Sequence, residues 1–291
     1  MTRLIRSLRC IESEFDVAVL DQFGVLHDGR EAVPVAAQAV DWLYRSGKRV
    51  VVMSNSGKRE SLNRERIAGF GVPLPEGTVV ETSGETAWRA FRDRTVPLPG
   101  RGTYRLLPIA GSWGDAVVWA QGNPNVALVS DFRDAGAVLL MGMPTGDEAA
   151  FGHETLEAAL ASGIPVICSN PDRSSLRGDA LVSSPGVMAD RFERAGGQVI
   201  WFGKPYREIF DGIRDRFPEK RRERFVMIGD SILHDVAGAA TAGFRSLFVR
   251  SGIHFPEFAD LGSAPDVLAA ISRIVRDAGT AEPDWSMERL A

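Results

Sequence analysis

The chain has 291 residues, which is enough for two domains or for one large domain. Charged residues make up 25% of the sequence and the net charge at pH 7 is only −4, so we expect no nucleic-acid partner and no membrane partner. Only two cysteines are present, and no apolar run is long enough to span a bilayer, which predicts a cytoplasmic protein with reduced thiols.

Short runs of β-branched residues alternate with amphipathic stretches, and this alternation predicts a parallel, doubly wound α/β sheet. Residues 1–10 carry arginines and are expected to form an amphipathic helix that packs on the domain. The first buried strand is predicted over residues 17–20 and ends at Asp21. Beyond it the pattern predicts a helix over 33–46, a strand over 49–53, a helix over 59–70, a strand over 78–80 and a helix that carries Trp88 and Phe91.

Residues 97–102, Pro-Leu-Pro-Gly-Arg-Gly, interrupt this pattern and predict a linker into an inserted domain. We therefore expect a core domain at residues 1–97 and 199–291 and a cap domain at residues 98–198. The insert is predicted to contain strands over 126–129, 137–141 and 165–168 and a helix over 153–161. The second half of the core is predicted to contain strands that begin near 199, 225 and 247, an alanine- and glycine-rich helix after residue 230, and a loosely held tail over 277–291.

Four of the predicted strands each lead into a polar residue, and in chain order these residues are Asp21, Ser54, Lys204 and Asp230. Ligands of open α/β sheets bind at the carboxyl ends of the strands. Asp21, which is followed by a turn through Gly24, is therefore a candidate nucleophile or metal ligand. A carboxylate that only caps a turn would be the simpler interpretation of Asp21 alone, but the four residues together favour a catalytic role.

Four segments carry a resemblance to a known family, namely LDQFGVLHDG at 20–29, VVMSNS at 51–56, GKP at 203–205 and GDSILHDVAGAATAG at 229–243. They resemble the haloacid dehalogenase superfamily, and within it the class II (class IIA-like) phosphatases of the phosphoglycolate and pyridoxal phosphate phosphatase branch. The resemblance implies a doubly wound, Rossmann-like parallel-sheet core with an inserted α/β cap domain. It also implies Mg²⁺-dependent hydrolysis of a small phosphomonoester, such as a sugar phosphate or another metabolite phosphate, through an aspartyl-phosphate intermediate.

The resemblance gives roles to three of the strand-end residues in binding and attacking a phosphoryl group. Asp21 is implied to be the nucleophile, and Lys204 is implied to neutralise the phosphoryl charge and to steady Asp21. Ser54 and the amide of Asn55 are implied to bind phosphoryl oxygens, at a position where a helix start favours anions. A capped turn at Ser54 and a solvated side chain at Lys204 stay open as alternatives.

The resemblance also implies a Mg²⁺ site made of the side chains of Asp21, Asp230 and Asp235 and the backbone carbonyl of Phe23. A hard cation prefers oxygen ligands, and Mg²⁺ is typically held by one or two carboxylates together with water and substrate phosphate. Asp235 is also well placed to cap the helix that follows it, and both roles can hold at once.

Phe23 is the one departure from the family pattern, because the phosphatases usually carry a second aspartate there as the acid–base group. Such groups are typically worth about 10²–10⁴ in rate. Three hypotheses follow: a phosphatase that borrows a proton carrier, a slow phosphatase or phosphotransferase, and a non-hydrolytic phosphometabolite-binding or regulatory protein. A dehalogenase is a further alternative, although displacement of halide requires no Mg²⁺ and the carboxylates Asp230 and Asp235 therefore argue against it.

Four more residues are candidates for contact with substrate. His27 and Asp28 lie in the segment expected to fold over the site and are candidates for the borrowed proton carrier, although a turn before Gly29 is the alternative. Asn170 and Asp172 belong to a Ser-Asn-Pro-Asp segment that in the resembling branch lies near the domain junction, where Asp172 either contacts substrate or caps a turn. The expected partner is a small phosphorylated metabolite, and apolar residues of the cap are compatible with a homodimer.

Overall fold

The structure is a computed structural model that describes residues 2–98, 102–144, 148–177 and 180–291. The central part of the predicted linker, residues 99–101, lies outside the described residues. Within the described residues, no helix is both long enough and apolar enough to cross a bilayer.

The strands are short and mostly buried. In chain order they are Arg3–Leu4 (β1), Val17–Asp21 (β2), Arg49–Ser54 (β3), Val79–Thr82 (β4), Tyr104–Ile109 (β5), Val126–Leu128 (β6), Ala137–Leu140 (β7), Val166–Cys168 (β8), Ser174–Arg177 (β9), Ala180–Ser183 (β10), Val199–Trp201 (β11), Phe225–Gly229 (β12), Arg245–Val249 (β13) and Trp285–Met287 (β14).

The α-helices of the described chain cover the faces of the sheets. They are Ala36–Arg45 (α1), Glu60–Gly69 (α2), Ser83–Arg92 (α3), Trp113–Ala120 (α4), Glu148–Ser162 (α5), Pro185–Arg194 (α6), Arg207–Arg214 (α7), Ala237–Ala242 (α8) and Ala264–Asp277 (α9).

The described strands form two parallel sheets and one antiparallel pair. The larger sheet has seven strands in the order β1-β14-β13-β12-β2-β3-β4, and the smaller has five in the order β11-β8-β7-β5-β6. Strands β9 and β10 form a separate antiparallel pair. The prediction of an α/β fold with a doubly wound parallel sheet and an inserted α/β unit is therefore confirmed.

The central strands are buried on both faces of the larger sheet. Because side chains alternate along a strand, Ala18 and Leu20 pack in one apolar cluster, whereas Val17 and Val19 pack in another on the opposite face. Continuous apolar strands of this kind are typical of parallel sheets that are covered by helices on both sides. This rigid centre fixes the position of Asp21 at the end of β2.

The prediction of a loosely held tail over 277–291 was wrong. Strand β14 pairs with both β1 and β13 inside the larger sheet. Trp285, Met287 and Leu290 are buried, and the Asp284 carboxylate accepts a hydrogen bond of 2.9 Å from the amide of Ser246. A three-residue strand is too short to show a periodic pattern, so its burial depends on neighbours that are distant in sequence.

Two further predictions from sequence differ from the structure. The N-terminal residues form strand β1 and a 3₁₀ helix over Leu8–Glu14 rather than an amphipathic α-helix. Strand β11 was expected to open the second half of the larger sheet, but it pairs with β8 in the smaller sheet. We retain the division into core and cap as a proposal, with the return to the core placed after β11.

Candidate active site

Three neighbouring strands bring polar residues to one edge of the larger sheet. Leu20 in β2 pairs with Val52 in β3 and with Ile228 in β12, so the carboxyl ends of these strands lie side by side. Asp21 follows Leu20 directly, Ser54 and Asp230 lie two residues after Val52 and Ile228, and all three residues are buried. The structure therefore brings together strand-end residues that are far apart in sequence, at the edge where ligands of such sheets bind.

Lys204 forms ion pairs with two acidic residues at this edge. Its Nζ lies 2.6 Å from Oδ1 of Asp21 and 2.7 Å from Oδ1 of Asp235. Burial opposes the charge on Lys204, but the two carboxylates outweigh it and raise its pKa above the ordinary value. The raised pKa favours the charged form of Lys204, and the alternative of a solvated lysine is excluded, because only 3% of its side chain is exposed.

The hydrogen bonds to Asp21 distinguish its two oxygens. Oδ1 accepts from the Lys204 ammonium at 2.6 Å and from the amide of Gln22 at 2.7 Å. Both of the described hydrogen bonds thus reach the same oxygen, and Oδ2 keeps its lone pairs for another partner. This arrangement orients the carboxylate while it leaves one oxygen to act as a nucleophile or ligand.

Asp21, Asp230 and Asp235 form a group that fits a divalent cation. One oxygen of each lies within 4.8 Å of the others, and all three side chains are buried. Burial and the charge of Asp235 raise the pKa of Asp21 well above its usual range and raise that of Asp230 to about 7. The group is short of positive charge, since one ammonium faces three carboxylates, and oxygen ligands suit Mg²⁺.

Asp230 and Asp235 are each held by backbone amides. The amide of Ile253 donates to Oδ2 of Asp230 at 2.8 Å, and the amide of Ser231 donates to Oδ2 of Asp235 at 3.0 Å. Asp235 lies inside the short π-helical turn Ile232–Val236, and the N-cap residue of the following helix α8 is Val236, which is not capped by a side chain. The alternative of a simple N-cap for Asp235 therefore does not describe its contacts.

Ser54 and Asn55 lie at the predicted place but have protein partners. The hydroxyl of Ser54 accepts from the amide of Ser56 at 3.3 Å, which is the capped turn considered from sequence. The side-chain nitrogen of Asn55 donates to Oδ1 of Asp172 at 2.7 Å and to the backbone carbonyl of Lys204 at 3.1 Å. The side-chain oxygen of Asn55 accepts from the backbone amide of Lys204 at 2.6 Å. The binding of phosphoryl oxygens by Ser54 and by the backbone of Asn55 stays a prediction.

His27 is fully buried and contacts the side chain of Gln22, the residue that follows the candidate nucleophile. Its Nδ1 accepts from the amide of Gly29 at 3.0 Å, and its Nε2 lies 3.0 Å from the side-chain nitrogen of Gln22. Burial lowers the pKa of His27 to about 4. Asp28 accepts from the amides of Arg30 and Glu31, as a turn cap does.

A cavity of about 270 Å³ adjoins this edge and is lined by both parts of the molecule. Phe23, Lys58 and Arg66 belong to the part built on the larger sheet, whereas Asn170 and Asp172 belong to the part built on the smaller sheet. The described lining includes neither His27 nor Asp28, and their contact with substrate stays a prediction, as does that of Asn170 and Asp172.

Sequence analysis missed several residues of this site. Lys58 pairs with Asp115 at 2.9 Å across the cavity wall, and Arg66 places its guanidinium 4.9 Å from the ring centre of Phe23. His234 lies 3.4 Å from Asp172, which connects the turn after β12 to the smaller-sheet part. Of these residues, only His234 could have been found from the sequence, because it lies between Asp230 and Asp235 in a segment that carries the family resemblance. The positions of Lys58, Arg66 and Asp115 in the site depend on how the helices are oriented and on how the two parts of the molecule contact each other.

A parallel α/β core, an inserted α/β unit and acidic side chains at the strand ends define a class of capped α/β proteins. Residues 18–107 match the family model of haloacid dehalogenase-like hydrolases, and residues 201–271 match a HAD-hydrolase-like model. Glycerol-3-phosphate phosphatase from Homo sapiens is 28% identical over 264 residues, which cover 83% of this chain and 80% of that protein.

Solved structures show the same fold. A haloacid dehalogenase-like hydrolase from Brucella suis 1330 is similar with a TM-score of 0.79 over 99% of this chain and 100% of that chain, at 24% identity. A glycerol phosphate phosphatase from Mycobacterium tuberculosis, in complex with magnesium, is similar with a TM-score of 0.65 over 86% of this chain and 71% of that chain, at 24% identity. The chain belongs to the haloacid dehalogenase-like hydrolases, in the class with a large α/β cap.

Proposed function

We propose that the chain is a Mg²⁺-dependent phosphatase that hydrolyses a small phosphomonoester, such as a sugar phosphate or another metabolite phosphate, through an aspartyl-phosphate intermediate. The observation that carries the proposal is the buried group in which Lys204 bridges Asp21 and Asp235 beside Asp230. Incompletely paired buried ions cost several kcal/mol each. A site that binds a divalent cation and a phosphoryl group accounts for their presence at the strand ends.

Each residue of this group has its own role in the proposed reaction. Oδ2 of Asp21 would attack phosphorus, while Lys204 holds Oδ1 and neutralises charge on the phosphoryl oxygens. Mg²⁺, held by Asp21, Asp230, Asp235 and the carbonyl of Phe23, would supply the remaining positive charge. Ser54 and the amide of Asn55 would bind phosphoryl oxygens at the end of the neighbouring strand.

Two kinds of comparison support the proposal. The human relative is a glycerol-3-phosphate phosphatase, and the relative from Mycobacterium tuberculosis was solved in complex with magnesium. The cavity of about 270 Å³ suits a small metabolite. We place the protein in the cytoplasm, in keeping with the free cysteines Cys10 and Cys168.

The test is Mg²⁺-dependent release of phosphate from a panel of phosphomonoesters, with Asp21→Asn beside the wild type. Asp41→Asn is the matched control, because Asp41 lies on the exposed surface and pairs only with Arg45 among the described contacts. We expect turnover that needs Mg²⁺, that is lost by several orders of magnitude in Asp21→Asn and that is retained in Asp41→Asn. Equal turnover in Asp21→Asn would exclude an aspartyl-phosphate mechanism.

Phe23 favours one alternative, a protein that binds a phosphorylated metabolite but does not hydrolyse it. In that case the wild type would bind a phosphomonoester in the presence of Mg²⁺ but would release no phosphate. Mass spectrometry of the intact protein separates the two functions, because only the enzyme gains a phosphoryl group on Asp21.

A further inference from the structure

The side chain of Phe23 forms one wall of the cavity next to the candidate nucleophile. The ring is half-buried and is held between the guanidinium of Arg66, 4.9 Å from its centre, and the ring of His27, whose centre lies 4.5 Å away. A second aromatic ring, Phe70, packs on His27 with the centres 4.4 Å apart. The position two residues after Asp21 is therefore a fixed hydrocarbon surface that carries no proton.

The acids that line the described cavity are already acceptors of hydrogen bonds. Asp115 accepts from the Lys58 ammonium at 2.9 Å, and Asp172 accepts from the side-chain amide of Asn55 at 2.7 Å. Both acids thus already accept hydrogen bonds from side chains of this protein, and these contacts give neither of them a place as the donor to a departing oxygen.

Positive charge, in contrast, is present in the cavity wall. Lys58, which precedes α2 and pairs with Asp115, and Arg66, an exposed residue of α2, both line the cavity. Fixed cations stabilise an oxyanion that develops in the transition state without a proton transfer. The cavity is therefore suited to a leaving group that departs with its negative charge.

We propose that this enzyme selects phosphomonoesters whose leaving oxygen departs as a stable anion, namely esters of phenols or enols, over esters of ordinary alcohols. This inference rests on the proposed phosphatase function, and among metabolite phosphates it ranks esters of phenols and enols above sugar phosphates and other alkyl esters. In the first step Oδ2 of Asp21 forms a bond to phosphorus, the bond from phosphorus to the leaving oxygen breaks, and the electron pair stays on that oxygen. In the second step water attacks phosphorus, the carboxylate of Asp21 is released, and the proton of the water passes to the phosphate product or to solvent.

The preference follows from the acidity of the leaving alcohols. Phenols have pKa values of about 10, whereas the pKa of water, which ordinary alcohols resemble, is far higher. A phenolate can leave without a proton, but an alkoxide requires one in the transition state, and acid–base groups that supply it are worth about 10²–10⁴ in rate.

The experiment measures kcat/KM for substituted phenyl phosphates of graded leaving-group pKa, an enol phosphate, glycerol phosphate and a simple alkyl phosphate. This ratio reports the steps up to loss of the leaving group, so slow hydrolysis of the intermediate does not mask the trend. For the wild type we expect log kcat/KM to fall steeply as the leaving-group pKa rises, with the alkyl esters at least about 10²-fold below phenyl phosphate.

Two variants test the cause. Phe23→Asp adds a proton carrier and should flatten the dependence, with kcat/KM for alkyl esters raised by about 10²–10⁴ and that for activated phenyl esters changed little. Phe23→Ala removes the ring without adding a proton and should keep the steep dependence of the wild type.

Three results would overturn the inference. A flat dependence in the wild type would reveal a proton donor elsewhere in the cavity and would leave the proposed phosphatase function standing. A steep dependence that is unchanged in Phe23→Asp would show that Phe23 does not cause the preference for activated esters. Release of no phosphate from any ester, activated ones included, would remove the phosphatase function itself, and the inference with it.

Discussion

Replacement of Lys204 by methionine tests the electrostatic design of the site. Methionine keeps most of the length and volume of lysine but removes the ammonium that lies 2.6 Å from Asp21 and 2.7 Å from Asp235. The side chain of Lys204 is 3% exposed, and that of Asp235 is 1% exposed, so water cannot replace the lost partner without a rearrangement. In the absence of metal, the variant buries the carboxylates of Asp21, Asp230 and Asp235 without a compensating cation.

Removal of one partner from a buried ion pair typically costs about 3–5 kcal/mol. We expect Lys204→Met to lose a free energy of unfolding in this range at pH 8 in EDTA, measured by urea denaturation. The loss should shrink as the pH falls from 8 to 6. Carboxylates whose pKa is raised in the folded state take up protons there more readily than in the unfolded chain, so protonation stabilises the folded variant. Mg²⁺ should restore more stability to the variant than to the wild type, because the group is then more negative.

Lys220→Met is the matched control, because it removes a lysine from a more exposed ion pair with Asp16. Asp16 keeps a second partner, Arg224, in this variant. Its cost should be below about 1 kcal/mol. If Lys204→Met lost no more stability than Lys220→Met at pH 8 in EDTA, the claim that Lys204 compensates a buried group of carboxylates would be refuted.

Two further predictions concern the metal site and its surroundings. A Cβ at Gly24 would lie 1.9 Å from Oδ2 of Asp230, whereas a Cβ at Gly47 would meet nothing within 4 Å, and both residues have a positive φ. Gly24→Ala should therefore raise the Mg²⁺ concentration for half-maximal activity by about tenfold or more, while Gly47→Ala, which shares only the backbone strain, leaves it unchanged. Because the pKa of His27 is lowered from 6.5 to about 4, the unfolded chain binds its proton first and stability falls as the pH drops below 6.5. The loss should approach roughly 3 kcal/mol near pH 4, and urea denaturation of His27→Gln should show a shallower pH dependence than that of the wild type.

The larger sheet and its reactive edge could be predicted from the sequence because their signals are local. Apolar runs that end at Asp21, Ser54 and Asp230 indicate parallel strands, and parallel strands place their carboxyl ends together. Strands β2, β3 and β12 have the predicted starts at residues 17, 49 and 225. The partners of Lys204 could only be expected from the family resemblance, since 183 residues separate it from Asp21.

The elements that sequence analysis missed depend on long-range contacts. Strand β14 has three residues, and its place between β1 and β13 is specified by neighbours near both ends of the chain. Strand β11 has the same apolar character as a core strand, but its pairing with β8 assigns it to the smaller sheet. Periodicity identifies a strand, but it does not identify the sheet that the strand joins.

Asn55 shows how the site and the cap are coupled. Its side chain makes four described hydrogen bonds, to Asp172, to the hydroxyl of Ser83 and to both the amide and the carbonyl of Lys204, which is the full capacity of an asparagine side chain. The ammonium of the same lysine holds Asp21. Buried networks with every group satisfied are rigid, since any displacement leaves a donor or acceptor unpaired. A shift of the cap that moved Asp172 would therefore disturb the backbone of Lys204, and through it the orientation of Asp21.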